Sequence, residues 1–389
     1  MILFKECEVY APEKLGKKDV LLAVGKIIAI EDKITISADL GKTLEVEVIS
    51  AEGLRMVPGL LDGHVHIAGA GGEGGPATRT PEMPLSKMLD GGITTVIGCL
   101  GTDGMTRSVE SVLMKAKGLR AEGVSAWIYT GSYQVPPPTI LGDVGKDIAM
   151  IEEVIGLGEI AVSDHRSSGP TVDQLIHLVE HARVGGMLGG KAGLVNFHMG
   201  DAKNPFDILY QVVEKSELKF TQFLPTHCNR NHHIFEDAKK YGKTGYVDIT
   251  ASSYPYYPEY EIKPAKAIVN LVNAGVPLEH ITMSSDGCGS LPNFDDKGNL
   301  VKLDSGEPKS IFIELIDLVE KEKFPLEKAL KVVTSNVADI LKLSNKGRIA
   351  KGKDADVVLL DKENRVVHLV ANGNLMVKDA QKIKVGHFE

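Results

Sequence analysis

The chain lacks the marks of a secreted, membrane or nucleic-acid-binding protein. Its four cysteines, Cys7, Cys99, Cys228 and Cys288, are scattered with no CxxC pair, which argues against a disulfide framework. No apolar run approaches the roughly 20 residues that a membrane span needs. The first residues, Met-Ile-Leu-Phe-Lys-Glu-Cys-Glu, carry no basic region followed by a long apolar core, so no secretory signal is visible. Positive charge is in deficit: 44 Lys and Arg against 52 Asp and Glu leave a net charge of −8, the opposite of a nucleic-acid binder. What is present is ordinary globular composition, 43% hydrophobic and 25% charged over 389 residues, enough for one large domain plus a smaller one. The expected address is the cytoplasm.

Both ends read as strands. Val20–Val24 and Lys26–Ile30 flank Gly25, and near the other end Ala355–Asp361 and Val366–Val370 lead through Asn372-Gly373 into Leu375–Val377. Asn-Gly between apolar alternations is a strong hairpin signal. Neither end has enough strands for a core of its own, so the expectation is one small β-sandwich-like domain formed by both termini, residues 1–55 with 346–389.

Residues 56–345 alternate apolar runs with helical patterns. Eight candidate strands are Met56–His66, Ile93–Leu100, Ala126–Tyr133, Glu159–Asp164, Leu194–Gly200, Phe223–Cys228, Tyr246–Ser253 and Ile281–Gly287, with helices between and after them such as Ser108–Arg120, Val172–Arg183 and Leu326–Leu341. This α/β pattern fits a (β/α)8 TIM-type barrel or a doubly wound open sheet. The barrel is favoured because the chemistry-bearing residues fall at strand C-termini, where barrel active sites are built.

Those residues begin with Asp62-Gly63-His64-Val65-His66. Strand side chains alternate faces, so His64 and His66 point the same way and can hold one divalent metal. Later strands supply Glu159, His198, His227 and Asp286. Four histidines and two carboxylates suffice for two metals sharing a carboxylate, a site that activates water and polarises a carbonyl. Tyr133, Thr102, Arg166, Arg230 and Ser290 lie where a substrate would, and Glu73 sits in a glycine-rich loop over the metal site. Two arginines and a glutamate suit a substrate with two carboxylates and one ammonium.

Two other motifs read as structural. Gly69-Ala70-Gly71-Gly72-Glu73-Gly74 matches GxGxxG, but Gly75-Pro76 follows where a dinucleotide fingerprint needs a helix. His177-Leu178-Val179-Glu180-His181 matches HxxEH. In its helix Val172, Leu175, Ile176 and Val179 form the apolar face, so both histidines are expected to face water.

The chain resembles the amidohydrolase superfamily and, within it, the isoaspartyl (β-aspartyl) dipeptidases, nearly end to end. Gly352-Lys353-Asp354-Ala355-Asp356-Val357-Val358 identifies only the superfamily. More selective are the Glu73 loop, Asp164-His165-Arg166-Ser167, Phe197-His198-Met199-Gly200-Asp201, Asn229-Arg230-Asn231 and Ser284-Ser285-Asp286-Gly287. The resemblance implies a metallo-dipeptidase that hydrolyses β-aspartyl dipeptides, a homo-oligomer with two divalent ions, usually Zn2+, and no nucleic-acid or membrane partner. His64, His66 and Asp286 would hold one ion, and His198 and His227 the other. Asp286 would also move the proton from the bridging water to the leaving amine, and Tyr133 would stabilise the oxyanion. Glu73 would take the substrate's ammonium, Arg166 and Arg230 its carboxylates, with Gly71, Thr102 and Ser290 adding hydrogen bonds.

The chain departs from that pattern at one position. A lysine, carbamylated to bridge the metals, usually stands seven residues before the arginine of Asp-His-Arg. Here Glu159 stands there, and no lysine occurs between Lys146 and Lys191. Either Glu159 bridges directly, the favoured reading, or the site holds one metal. The other readings are an amidohydrolase acting on an N-acyl amino acid or cyclic amide, and a metal-free interaction protein.

Overall fold

The computed structural model describes residues 1–295, 297 and 299–389. Eight parallel barrel strands occur in chain order: Leu60–Val65, Ile93–Gly98, Ser125–Thr130, Val154–Val162, Val195–Met199, Phe223–Thr226, Val247–Thr250 and Ile281–Ser284. The first six form one continuous parallel sheet and the last two a pair. Hydrogen bonds join both seams. Cys228 N donates to Asp248 O across strands six and seven (3.2 Å), while Asp286 N donates to His64 O (3.1 Å) and His66 N to Gly287 O (2.9 Å) between strands eight and one. The architecture is therefore of the TIM-barrel type.

The strands are buried along nearly their whole length, as expected of a parallel sheet covered by helices. Alternation divides their side chains between two cores. Leu60, Val96, Ala126 and Ile128 pack outward against the helices. Leu61, Ile97, Cys99, Tyr129 and Ile155 point inward, with Val337, Ala338 and Ile340 of a short helix packed against them.

The expected strand Met56–His66 is two strands. Arg55–Pro58 belongs to another sheet, and Leu60–Val65 opens the barrel. Gly59 between them packs so closely on barrel strand two that a Cβ would stand 2.3 Å from Thr94 Oγ1. The expected helix Leu326–Leu341 is also broken, into Leu326–Ala329, a tighter turn Leu330–Val333, and Ser335–Ile340. Thr334 leaves helical geometry at φ −138°, ψ −92°, and its hydroxyl donates to Leu330 O at 2.6 Å.

Both chain ends share one nine-stranded sheet. Its order is Gln381–Lys382, Asn374–Lys378, Val366–Ala371, Val357–Leu360, Arg55–Pro58, Ile2–Tyr10, Lys14–Ala23 and Lys26–Glu31, with Glu47–Ser50 pairing alongside Ile2–Tyr10. Phe4, Val20, Leu22 and Ile27 from one end share a buried cluster with Val357, Leu359 and Val370 from the other. The Asn372-Gly373 turn has positive φ at both residues (47° and 78°), the geometry its sequence favours.

Candidate active site

Above the C-terminal ends of the barrel strands lies a cavity of about 710 Å³. It is lined by His66, His198, His227 and Asp286 together with Glu73, Thr102, Tyr133, Arg166, Arg230 and Ser290. His64 and Glu159 lie beneath its floor, both buried. Gly71 is off the wall, paired with Arg79 inside the glycine-rich loop. His227 and Asp286 leave their strands in the left-handed region, at φ 61° and 56°, each at a cost of about 1–3 kcal/mol that the surrounding fold must offset.

Glu159, on the fourth strand, is the centre of the cluster. Oε1 lies 2.7 Å from His198 Nδ1 and 3.1 Å from His227 Nε2. Oε2 lies 3.5 Å from His64 Nε2 and 3.8 Å from His66 Nε2. One carboxylate thus offers one oxygen to each pair of histidines. Asp286 Oδ1 closes the group, 3.0 Å from His66 Nε2 and 3.6 Å from His64 Nε2.

Further partners orient the rings. His64 Nδ1 lies 3.0 Å from Asn196 Oδ1, and the same amide donates to Leu224 O at 3.1 Å, which fixes its orientation. His64 Nδ1 therefore donates to Asn196, and Nε2 faces Glu159. His227 Nδ1 lies 2.7 Å from Thr250 Oγ1. His198 is turned the other way, with Nε2 3.0 Å from Asp164 Oδ2 and Nδ1 towards Glu159. Such partners orient metal-binding imidazoles.

Burial opposes charge on Glu159, but His64, His198 and His227 hold its carboxyl well below the usual range. Asp286 shows the same balance: burial against His66, His227 and His64 leaves it at about 2. Burial pushes the His227 imidazole down to about 3. Two carboxylate oxygens, Glu159 Oε2 and Asp286 Oδ1, are buried with no hydrogen-bond donor, an arrangement that costs free energy unless a cation meets them. Among the described residues two donor groups could hold metal ions: His64, His66, Cys99 and Glu159, and Glu159, His198 and His227. The residues present fit divalent metals of the zinc type.

On the cavity wall, Glu73 accepts from Ser290 Oγ, 3.0 Å from each carboxylate oxygen. Arg166 directs Nε and Nη2 onto Asp164 (3.0 and 2.9 Å) and leaves Nη1 3.8 Å from Glu73. Arg230 Nη1 donates to Met199 O at 3.1 Å and lies 3.7 Å from Asp164. Tyr133 Oη stands 2.7 Å from His198 Nδ1, and the Arg166 guanidinium lies over its ring at 5.4 Å. Burial, chiefly, raises the Tyr133 phenol well above its ordinary value, so it remains a proton donor.

Sequence reasoning gave no role to Asp164, which ties Arg166 and Arg230 to His198, nor to Cys99, Asn196 and Thr250. Asp164 was legible as the acid before His165-Arg166. Cys99 was legible by its period-two spacing from the inward-facing Ile97. The hairpin Ser290–Phe294 with Leu300–Ser305, which carries Ser290, was also missed. His177 and His181 lie away from the cavity. His177 is exposed as expected, but His181 is half-buried, with Nδ1 3.3 Å from Asp143 of the neighbouring helix start.

A closed barrel with buried histidines and carboxylates at one mouth is the architecture of a metal-dependent hydrolase. The amidohydrolase family profile matches residues 218–376. The chain is similar to a solved β-aspartyl dipeptidase from Fervidobacterium islandicum AW-1, in complex with β-Asp-Leu dipeptide, at 43% identity and TM-score 0.91 over 99% of each chain. More distantly, it resembles the dihydroorotase of Elusimicrobium minutum, 24% identical over 94% of this chain and 89% of that one. It shares its fold with the dihydropyrimidinase of Brevibacillus agri NCHU1002, at TM-score 0.67 and 16% identity over 99% and 96% of the two chains. The chain belongs to the amidohydrolase family and, within it, to the β-aspartyl dipeptidases.

Proposed function

We propose that the chain hydrolyses β-aspartyl dipeptides, cleaving between the aspartate side-chain carbonyl and the amine of the next residue. One observation carries the reading: a single cavity brings Glu73, Arg166 and Arg230 beside the donor cluster around Glu159. A β-aspartyl dipeptide carries one ammonium and two carboxylates, which that set matches in number and sign. A cyclic amide has no ammonium for Glu73, and an N-acyl amino acid has neither the ammonium nor, in general, the second carboxylate.

In this reading Glu73, braced by Ser290, receives the ammonium. Arg230 and the free edge of Arg166 receive the carboxylates, with Thr102 and the Gly71 loop bounding the site. His64, His66 and Asp286 would hold one ion, His198 and His227 another, and Glu159 would stand between them. Two divalent ions, proposed to be zinc, supply Lewis-acid polarisation of the carbonyl and acidify water. Asp286, ionised near neutrality, takes a proton from the attacking water and returns it to the leaving amine. Tyr133 donates to the oxygen on which charge develops.

The same reading treats residues 56–345 as the catalytic domain and the sheet from 1–55 and 346–389 as a small β domain, in a cytoplasmic homo-oligomer. The sheet's own apolar cluster supports the division, and composition and the family resemblance support the rest. No helix among the described residues is long and apolar enough to cross a membrane. The test is turnover of β-Asp-Leu, N-acetyl-leucine and hydantoin by zinc-loaded protein. Hydrolysis of β-Asp-Leu is expected to dominate; preferential opening of hydantoin would overturn the assignment.

A further inference from the structure

Cys99 follows the second barrel strand and is fully buried. Its Sγ lies 3.6 Å from His64 Nε2 and 3.8 Å from His66 Nδ1. Two other buried cysteines have ordinary carbonyl partners: Cys7 Sγ donates to Lys18 O at 3.2 Å and Cys228 Sγ to Pro225 O at 3.3 Å. For Cys99 the carbonyl contact, to Val65 O, is a longer 3.6 Å. The second observation is independent of the thiol. Glu159 Oε2, on a side chain only 1% exposed, is directed at the same histidines and has no hydrogen-bond donor. With zinc–sulfur bonds of about 2.3 Å and zinc–nitrogen bonds of about 2.0–2.1 Å, a tetrahedral site has a sulfur-to-nitrogen edge of about 3.5 Å. The Cys99–His64 separation of 3.6 Å is close to that edge.

We propose that Cys99 is a thiolate ligand to the metal ion held beside His64 and Glu159. This rests on the reading of the cluster as a metal site and goes beyond it in assigning an additional ligand. Ligation breaks the Sγ–H bond, and the proton leaves to solvent as sulfur bonds the metal. Cys99 is then a donor beyond the histidines and carboxylates, Asp286 included, already assigned to the cluster.

The experiment is a cobalt(II) titration of metal-stripped, full-length protein followed by absorption, on wild type and Cys99→Ser. Wild type is expected to develop visible d–d bands together with a near-ultraviolet sulfur-to-cobalt charge-transfer band. Cys99→Ser is expected to keep d–d bands, lose the sulfur band, and release its more tightly held ion at least about 100-fold more readily, since loss of a mere orienting partner already costs 10–100-fold. Bound cobalt without a sulfur band in wild type, or a sulfur band surviving in Cys99→Ser, overturns the proposal while leaving the metal site intact. Failure of wild type to bind cobalt at all removes the underlying reading as well. If Cys99→Ser does not fold, alkylation of the metal-stripped and zinc-loaded wild type decides, with modification mapped by peptide mass. Protection of Cys99 that is specific to zinc loading supports ligation, and equal labelling in both states refutes it.

Discussion

Replacing Glu159 by glutamine separates the charge and ligand capacity of this side chain from its size. Glutamine keeps one acceptor oxygen and puts an NH2 group in place of the other. Whichever way the amide turns, one histidine pair faces a nitrogen with no lone pair to give. The substitution removes a buried, charge-assisted interaction between an oxygen and imidazoles 2.7–3.8 Å away. Removing such an interaction costs about 2–5 kcal/mol, which at 1.36 kcal/mol per decade is roughly 30-fold to several thousandfold in affinity for one ion. Glu159→Gln should therefore retain fewer ions per chain than wild type after dialysis, by mass spectrometry of the metal, and lose most activity on β-Asp-Leu. Because a carboxylate, unlike a carbamylated lysine, is permanent, wild-type reconstitution should proceed fully in bicarbonate-free buffer. Glu159→Lys should regain activity only with bicarbonate. Wild-type metal content and activity in Glu159→Gln would refute the reasoning, as would wild-type reconstitution that requires bicarbonate.

Arg230→Ala removes a cation on the cavity wall and should lower kcat/KM for β-Asp-Leu by about tenfold to a thousandfold; an unchanged value in steady-state kinetics would remove Arg230 from the binding set. The double change His177→Ala with His181→Ala should leave metal content and activity unchanged within about twofold, since both residues lie away from the cavity, at a stability cost within the ~1 kcal/mol of an exposed ion pair. Asp164 has its folded-state carboxyl held well below the ordinary range, with burial opposed by His198 and Arg166. A depressed folded pKa stabilises above the unfolded value near 3.9 and loses that contribution as pH falls below it. The urea midpoint of metal-free wild type should therefore exceed that of Asp164→Asn at pH 6, and the gap should narrow as pH drops from about 5 towards 2; a gap constant with pH contradicts the assignment.

Much of this site could be read from order along the chain because barrel geometry converts strand ends into neighbours. His64, His66, His198, His227 and Asp286 each follow a recognisable apolar run, so their convergence needs only the closure of the barrel. Glu159 was harder. Its strand extends from Val154 to Val162, and the glutamate lies inside it rather than at its start. Boundaries failed where tertiary packing overrides local pattern. Gly59 separates two strands because of its fit against Thr94, and Thr334 breaks a helix whose apolar spacing is continuous. Roles failed where a residue acts through another. Asn196 and Thr250 look like ordinary strand polars until their hydrogen bonds to His64 and His227 are seen. Asp164 gains meaning only once Arg166, Arg230 and His198 surround it.

The central claim is that the charges lining the cavity select the β-linked isomer of an aspartyl dipeptide. It is tested most directly by kcat/KM for β-Asp-Leu and α-Asp-Leu on one zinc-loaded preparation. The two substrates carry the same charges and differ in which carboxyl group is the scissile carbonyl. Moving the scissile bond displaces at least one charge from Glu73, Arg166 or Arg230, at about 2–5 kcal/mol, so the β isomer should be preferred by at least about 30-fold. Equal turnover of the two isomers, or preference for the α-linked one, would contradict the account.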